Sequence, residues 1–156
     1  MNIFALHADP IMAAEMHLDK HVVKMPLETA QMLCTLNAPN APYKPTHQNH
    51  PCTLWAGATS GNYEWLVRLG LALCDEYTHR YGKDHKCRAV IEGLREPPTS
   101  VPLGPLTAFA QAMPDECKQN DAVSAYRQYY RDHKAHIATW KRRARPDFME
   151  VKASDD

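Results

Sequence analysis

The positions of the prolines divide this chain into helical stretches and loops. Proline lacks the backbone N–H that helix interiors and central strands require, so it is confined to helix starts, edges and loops. Two stretches are rich in proline, residues 37–51 (NAPNAPYKPTHQNHP) and residues 95–105 (REPPTSVPLGP). We therefore expect both stretches to be loops, with the regular structure before, between and after them.

The segment before the first loop predicts a helix from Pro10 to about Leu36. Asp9 is a suitable N-cap, and Pro10 fits the first helical position, where its missing N–H costs nothing. Pro26 lies inside this stretch and removes one backbone hydrogen bond. We expect a kink, or two consecutive helices, near residues 24–25.

Apolar residues at helical spacing predict further helices. One long helix runs over residues 52–81 with Gly82 as its C-cap, and a shorter one covers residues 84–94. Another long helix begins after Asp121 and carries a core-facing stripe as far as Trp140.

The fold class that follows is all-α: a single domain built as a compact bundle of three main helices, the first kinked at Pro26, with long proline-rich loops. Only residues 2–6 (NIFAL) resemble a strand, and they fit an extended segment packed on the helices equally well. A length of 156 residues corresponds to one domain. We expect the tail after Pro146 to be frayed.

Composition excludes several classes of protein. The chain is 44% hydrophobic and 23% charged, which is typical of globular rather than disordered or fibrous proteins. Its 18 basic and 18 acidic residues balance, so net charge does not indicate a nucleic-acid partner, and the one dense basic run is KRRAR at residues 141–145. The five cysteines form no CxxC pair, which predicts reduced, buried thiols.

The expected location follows from the absence of a long apolar run. No stretch approaches the roughly 20 apolar residues of a membrane span, and MNIFALHADP does not resemble a signal peptide. We expect a cytoplasmic protein without a membrane partner, in the host cytoplasm if a phage encodes it. The sequence leaves the oligomeric state open.

The first helix carries an unusual polar stripe at steps of four, three, four and three residues: His17, His21, Lys24, Glu28 and Gln31. A structural helix gains nothing from burying such groups, so the stripe predicts the wall of a site. Desolvation beside the kink would lower a lysine pKa and raise a carboxylate pKa, which makes a nucleophile or an acid–base pair. Lys24, Glu28 and His21 are therefore the candidate catalytic residues, although a plain surface ion pair is the competing interpretation.

The remaining candidates would bind substrate. They are two residues of the stripe, four residues of the proline-rich loop and two arginines of the basic run: His17, Gln31, Lys44, His47, Asn49, His50, Arg142 and Arg143. The competing interpretations are a turn-rich connection whose side chains cap the next helix and a solvated basic helix face.

A metal site is a weaker alternative. His17 and His21 are spaced i, i+4 and could share one metal ion with a third ligand from the loop histidines, Asp9 or Asp19. Alternatively, both histidines hydrogen-bond loop carbonyls. We expect no redox cofactor.

Several motifs resemble known families. MNIF, DKHVVKM, YKPTH, NHP, EYTHRYGK and FAQAMPDE resemble a widespread set of small phage proteins, a resemblance that brings no activity with it. More distantly, HLDKHVVKMP resembles the first helix of the phage pyrimidine-dimer DNA glycosylases of the endonuclease V type, with His17, Leu18 and Pro26 at the same spacing. The segment from residue 52 to residue 83 is similar to that family's second helix, and WKRRARPDF to its aromatic, basic C-terminal end.

The glycosylase resemblance implies an all-α fold of three helices and a particular chemistry. In that family the attacking group is the α-amine exposed by removal of the initiator Met, which forms a Schiff base with the sugar, assisted by a Glu two residues before the helix proline. This chain has Asn2, whose bulk disfavours Met removal, and Lys24 at the position of the Glu. Either Glu28 substitutes from the next turn, or Lys24 supplies the amine, or the scaffold does something other than base excision.

Three hypotheses follow for function. The first is an enzyme of the endonuclease V-like fold that acts on DNA or a nucleotide at the N-glycosidic or neighbouring sugar position. The second is a non-catalytic protein that captures a nucleotide, for example a host signalling nucleotide, in the same polar pocket. The third is a metal-dependent hydrolase built on His17 and His21.

Overall fold

The computed structural model describes residues 1–150, and this part of the chain contains helices and loops but no strand. The all-α prediction is confirmed. The six helices are α1 (Pro10–Met16), α2 (Asp19–Leu36), α3 (Pro51–Ala56), α4 (Ser60–Tyr81), α5 (Arg88–Gly93) and α6 (Ala122–His133). Short 3-10 turns occur at Asp115–Cys117, Ala135–Ile137 and Asp147–Glu150. None of the helices in residues 1–150 combines the length and apolar character needed to cross a bilayer.

The first predicted helix is two consecutive helices, but they separate at His17–Leu18 and not near residues 24–25. Both residues have extended backbones, with ψ angles of 136° and 158°. The N–H of Asp19, which begins α2, donates to the carbonyl of Thr139 at 2.9 Å. The helix break therefore coincides with a contact to a distant segment, and Pro26 lies inside α2.

The later helices are also shorter than the sequence predicts. Residues 57–59 separate α3 from α4, and the Thr59 hydroxyl caps α4 by accepting from the backbone N–H of Asn62. Gly82 ends α4 with a left-handed φ of 69°, as predicted. Helix α6 stops at His133 because the chain then turns back to α1, where the Trp140 indole N–H donates to the carbonyl of Met16 at 2.8 Å.

The N-terminal segment, residues 2–6, has no regular secondary structure and is buried against the helices. The Phe4 ring stacks on the His21 ring of α2, with centroids 4.2 Å apart and an interplanar angle of 18°. The same ring contacts the rings of Tyr126 and Tyr130 in α6 edge-on or tilted. This segment therefore lies between α2 and α6 and forms part of the core.

A buried guanidinium connects α4 to the first two helices. Arg80 is 1% exposed. It donates to Glu76 at 2.7 Å, to Asp19 at 3.0 Å and to the carbonyl of Glu15 at 3.0 Å. A buried charge is tolerated only when it is paired and hydrogen-bonded, and these three acceptors meet that requirement.

The C-terminal part of the described chain packs on the core. Phe148 and Met149 are buried within the last 3-10 turn. The remaining residues of the tail predicted to fray, 151–156, lie outside the described residues. All five cysteines are buried and none is paired with another.

We predict that acid destabilises the fold through two histidines. Burial lowers the pKa of His17 to about 4 and that of His21 to about 2. Unfolding returns each to an ordinary pKa near 6.5, so the unfolded chain binds more protons and the free energy of unfolding falls as pH drops below about 6.5. The loss between pH 7 and pH 5 should be roughly 3–4 kcal/mol for the two together.

Urea unfolding at pH 7 and pH 5 measures this loss. His21→Asn should remove about half of the pH-dependent difference, since only one buried imidazole remains. His136→Gln, at an exposed position, is the matched control and should leave the difference unchanged. Equal stability of the wild-type chain at the two pH values would contradict the prediction.

Candidate active site

Glu28 of α2 is a buried carboxylate that faces the N-terminus of the chain. Its Oε1 lies 3.2 Å from the Met1 nitrogen and accepts a hydrogen bond from the backbone N–H of Asn2 at 2.9 Å. Its Oε2 lies 3.4 Å from the Nζ of Lys24, one turn earlier on the helix. A single carboxylate thus contacts an α-amine and a lysine.

The side chain of Asn2 fixes the N-terminus at this position. Its Nδ2 donates to the carbonyl of Ala112 at 2.8 Å. Its Oδ1 accepts from the hydroxyl of Tyr126 at 2.9 Å and from the backbone N–H of Ile3 at 2.8 Å. The thiol of Cys52 in α3 also approaches this oxygen, at 3.6 Å, and burial raises the pKa of that thiol to about 11. Asn2 therefore links the N-terminus to α3, α6 and the loop before α6.

The side chain of Met1 is buried, whereas its backbone atoms are accessible. Its side chain is 2% exposed and packs against the core. The residue as a whole is only half-buried, so its exposed surface belongs to backbone atoms. Backbone atoms of Met1, the residue that carries the α-amine beside Glu28, are therefore in contact with solvent.

The proline-rich loop brings His50 towards this pair. His50 is the N-cap of α3, and its Nδ1 accepts from the backbone N–H of Cys52 at 3.0 Å. Partial burial lowers the pKa of His50, and the positive charges of the N-terminus and His47 lower it further. A neutral imidazole therefore stands near the amine, whereas Lys44, His47 and Asn49 are exposed on the same loop.

Lys24 is at the surface. Its side chain is 69% exposed, so the burial expected to make it a neutral amine is absent. It lies at the edge of a groove of about 530 Å³ between α2 and the segment after α4. The groove is lined by Val23, Lys24, Leu27, Tyr77, Asp84, His85, Lys86 and Cys87.

A model of the pyrimidine dimer DNA glycosylase family matches residues 1–89. The chain belongs to this family. The matched part is more than half of the chain and contains Met1, Lys24, Glu28 and His50, whereas α6 lies beyond it. Neither the curated proteins nor the solved structures contain a match to the chain.

Membership of this glycosylase family confirms the resemblance inferred from the first helix and supports a glycosylase-like action on DNA. The resemblance rests on the helix proline Pro26, and Lys24 stands two residues before it. The carboxylate that contacts the N-terminus is Glu28, one turn after Lys24.

The two histidines of the polar stripe lie in the core of this family member and not on a site wall. His17 is 0% exposed, and its Nδ1 is 2.6 Å from the carbonyl of Ala13. His21 pairs through Nδ1 with the hydroxyl of Tyr130 at 2.7 Å. Within residues 1–150 no group of three or more His, Cys, Asp or Glu side chains is placed to hold a metal ion, so the structure adds no third ligand to this pair.

The remaining predicted binding residues are dispersed. Gln31 is half-buried one turn after Glu28, on the same side of α2. Arg143 is engaged with Glu76 through two hydrogen bonds of 2.9 Å, which attach the C-terminal segment to α4. Arg142 is exposed, with a left-handed φ of 61°. The two arginines of the basic run therefore differ: Arg143 forms a structural ion pair, and Arg142 is exposed.

Sequence reasoning considered the N-terminal amine but missed the residues that hold it. Asn2 lies in the MNIF motif and Ala112 in the FAQAMPDE motif, but neither motif indicates an activity, and both are distant in sequence from each other and, for Asn2, from Tyr126. A further signal was the apolar NIFAL segment, which the sequence analysis allowed to pack on the helices.

We predict that Arg143 stabilises the fold, unlike its neighbour. Arg143→Gln removes two charge-assisted hydrogen bonds from Glu76, whose side chain is 3% exposed, and should lower the free energy of unfolding by roughly 1–3 kcal/mol. Arg142→Gln is the matched control and should change it by less than about 0.5 kcal/mol. Urea unfolding at pH 7 compares the two, and equal effects would contradict the assignment.

Proposed function

We propose that this protein is a DNA glycosylase with an associated lyase step, in which an N-terminal α-amine attacks the sugar of a damaged nucleotide and Glu28 transfers protons. The observation that carries the proposal is the 3.2 Å contact between the Met1 nitrogen and the Glu28 carboxylate. Membership of the pyrimidine dimer DNA glycosylase family supports it and makes a pyrimidine dimer the first substrate to test.

The proposed reaction balances with no cofactor. The lone pair of the neutral amine forms a bond to C1′ while the glycosidic bond breaks, and the bonding electron pair leaves with the base, which takes up a proton from solvent water. Glu28 accepts the proton that the attached nitrogen loses. When the C1′–O4′ bond then breaks, Glu28 returns a proton to O4′, and the nitrogen is left as a protonated Schiff base.

The α-amine suits this role better than Lys24. As a class, α-amino groups ionise near pH 8 and lysine side chains near about 10.4, so α-amines offer far more of the neutral, nucleophilic form at neutral pH. A lysine offers a comparable fraction of the neutral amine only when burial disfavours its charged form. Lys24 is largely exposed. Its charge is better placed to contact a DNA phosphate at the edge of the site.

Glu28 takes the place of the carboxylate that the family resemblance assigns to the position of Lys24. The two positions are one helical turn apart on α2, so both side chains reach the same part of the surface. Burial of Glu28 keeps the carboxylate away from bulk water, which strengthens its interaction with the cationic nitrogen.

The first test is cyanoborohydride trapping on duplexes that carry a cyclobutane pyrimidine dimer or an abasic site. We expect a covalent protein–DNA adduct with the wild-type chain. Glu28→Gln should slow base release from the dimer by about 10²–10⁴-fold, because it removes the proton-transfer group. Glu64→Gln, at an exposed position on α4, is the matched control.

Two results would contradict the proposal. If neither duplex gives an adduct and no base is released, the proposal fails. Stoichiometric recovery of an intact bound nucleotide would then favour the nucleotide-capturing protein.

A second test concerns Lys24. An exposed ion pair contributes at most about 1 kcal/mol. Lys24→Ala should therefore slow adduct formation by less than about tenfold. Lys20→Ala, also exposed on α2, is the control for a general loss of positive charge. Loss of the adduct in Lys24→Ala alone would identify the lysine as the reacting amine and contradict the assignment to the N-terminus.

A further inference from the structure

The proline-rich loop after α2 contains a short turn, residues 47–50, that is held at both ends. Before the turn, the backbone N–H of Thr46 donates to the hydroxyl oxygen of Thr35 on α2 at 3.0 Å. After the turn, the thiol of Cys52 lies 3.6 Å from Oδ1 of Asn2. The turn therefore crosses from α2 to the N-terminal segment and is restrained on each side.

The candidate active site lies between these two anchors. Glu28 precedes Thr35 by two helical turns, so both residues lie on the same face of α2. The Glu28 carboxylate also accepts from the backbone N–H of Asn2 at 2.9 Å. His50 is two residues before Cys52, which places their Cα atoms at most about 7 Å apart. The side chain of His50 therefore borders the site that contains Glu28.

The N-cap hydrogen bond of α3 determines which nitrogen of the His50 ring carries the proton. Nδ1 accepts from the backbone N–H of Cys52 at 3.0 Å, so Nδ1 has no proton. A neutral imidazole then has its proton on Nε2, which is a hydrogen-bond donor. Partial burial lowers the pKa of His50, and the positive charge of the N-terminus lowers it further, which keeps the ring neutral. Within residues 1–150 no protein group accepts the Nε2 proton.

Cleavage of a glycosidic bond creates an acceptor for this proton. The bonding electron pair leaves with the pyrimidine, and the negative charge spreads from the ring nitrogen to O2, the adjacent carbonyl oxygen. A donor that is already in place at an atom where charge develops lowers the barrier. A DNA phosphate is the weaker candidate, because its charge does not change in this step and the exposed Lys44 on the same loop suits a phosphate better.

We propose that the Nε2–H of His50 donates a hydrogen bond to O2 of the pyrimidine as it leaves, which makes His50 a catalytic residue for glycosidic cleavage. This proposal rests on the proposed function and adds a residue to it. His50 keeps its proton throughout, and the base takes its proton from solvent water. Once the base has left, His50 has no part in the later Schiff-base steps.

The experiment measures the two steps separately in the full chain. His50→Ser keeps an N-cap oxygen for the backbone N–H of Cys52 but removes the Nε2 donor. Glycosidic cleavage at a cyclobutane pyrimidine dimer should slow by about 10–100-fold, which is less than for a fully enclosed oxyanion donor because His50 is half-buried. Cyanoborohydride trapping on an abasic-site duplex, where no base leaves, should proceed at the wild-type rate. His136→Ser, at an exposed position, is the matched control, and circular dichroism verifies that both variants fold.

Two results for His50→Ser would overturn this proposal while the proposed function stands. One is dimer cleavage at the wild-type rate. The other is equal slowing of dimer cleavage and abasic-site trapping, because the substitution would then displace the whole site. A wild-type chain that neither cleaves the dimer nor forms the abasic-site adduct would overturn the proposed function as well, so the two failures are distinguishable.

The state of the ring gives a second readout. Nitrogen NMR of the wild-type protein at pH 7 should show the His50 ring with its proton on Nε2 and with Nδ1 unprotonated. The opposite tautomer would leave no donor on Nε2 and would overturn the proposal.

Discussion

The position of the N-terminus depends on the hydrogen bonds of one buried amide side chain. Asn2 contacts the loop before α6 through Ala112, α6 itself through Tyr126, and α3 through Cys52. Its backbone N–H donates to Glu28 on α2. Because buried amide groups are costly to leave unpaired, these contacts restrain the chain start to one place. The amine–carboxylate pair is a consequence of that restraint.

The electrostatics of the site follow from this placement. One buried carboxylate is compensated by the chain terminus and by Lys24, so Glu28 is not left as an unpaired charge. His50 is brought near by the proline-rich loop, and its imidazole is kept neutral by partial burial and by the neighbouring positive charges. The exposed Lys44 and His47 place further cationic or polar groups on the same loop, which is suited to a polyanionic partner.

A second buried network joins α4 to α1, α2 and the segment after α6. Arg80 joins Glu76 and Asp19, and Arg143 adds its guanidinium to Glu76. Asp19 also accepts from the hydroxyl of Thr139 and from the N–H of Lys141. The segment after α6 is thereby bound to the start of α2, which accounts for both the early end of α6 and the break before α2. The basic run of the sequence is thus partly a structural element.

Local patterns determined much of this protein. The spacing of apolar residues and the positions of proline predicted an all-α chain, the two proline-rich loops, and the end of the longest helix at Gly82. The spacing of His17, Leu18 and Pro26 indicated the glycosylase family, which the match to residues 1–89 confirms. These features depend on interactions between residues close in sequence, so they can be read from the sequence.

Tertiary structure alone decided which polar residues of the first helical region meet at a site. His17, His21 and Glu28 fall on one helical stripe, yet the break at His17–Leu18 and the packing of Phe4 bury both imidazoles in the core. Glu28 meets the N-terminus because a segment from the far end of the chain holds Asn2 in place. Helical periodicity predicts which residues share a helix face. Which group packs against that face, here the N-terminus, depends on contacts between residues more than 100 positions apart, and no local pattern encodes such contacts.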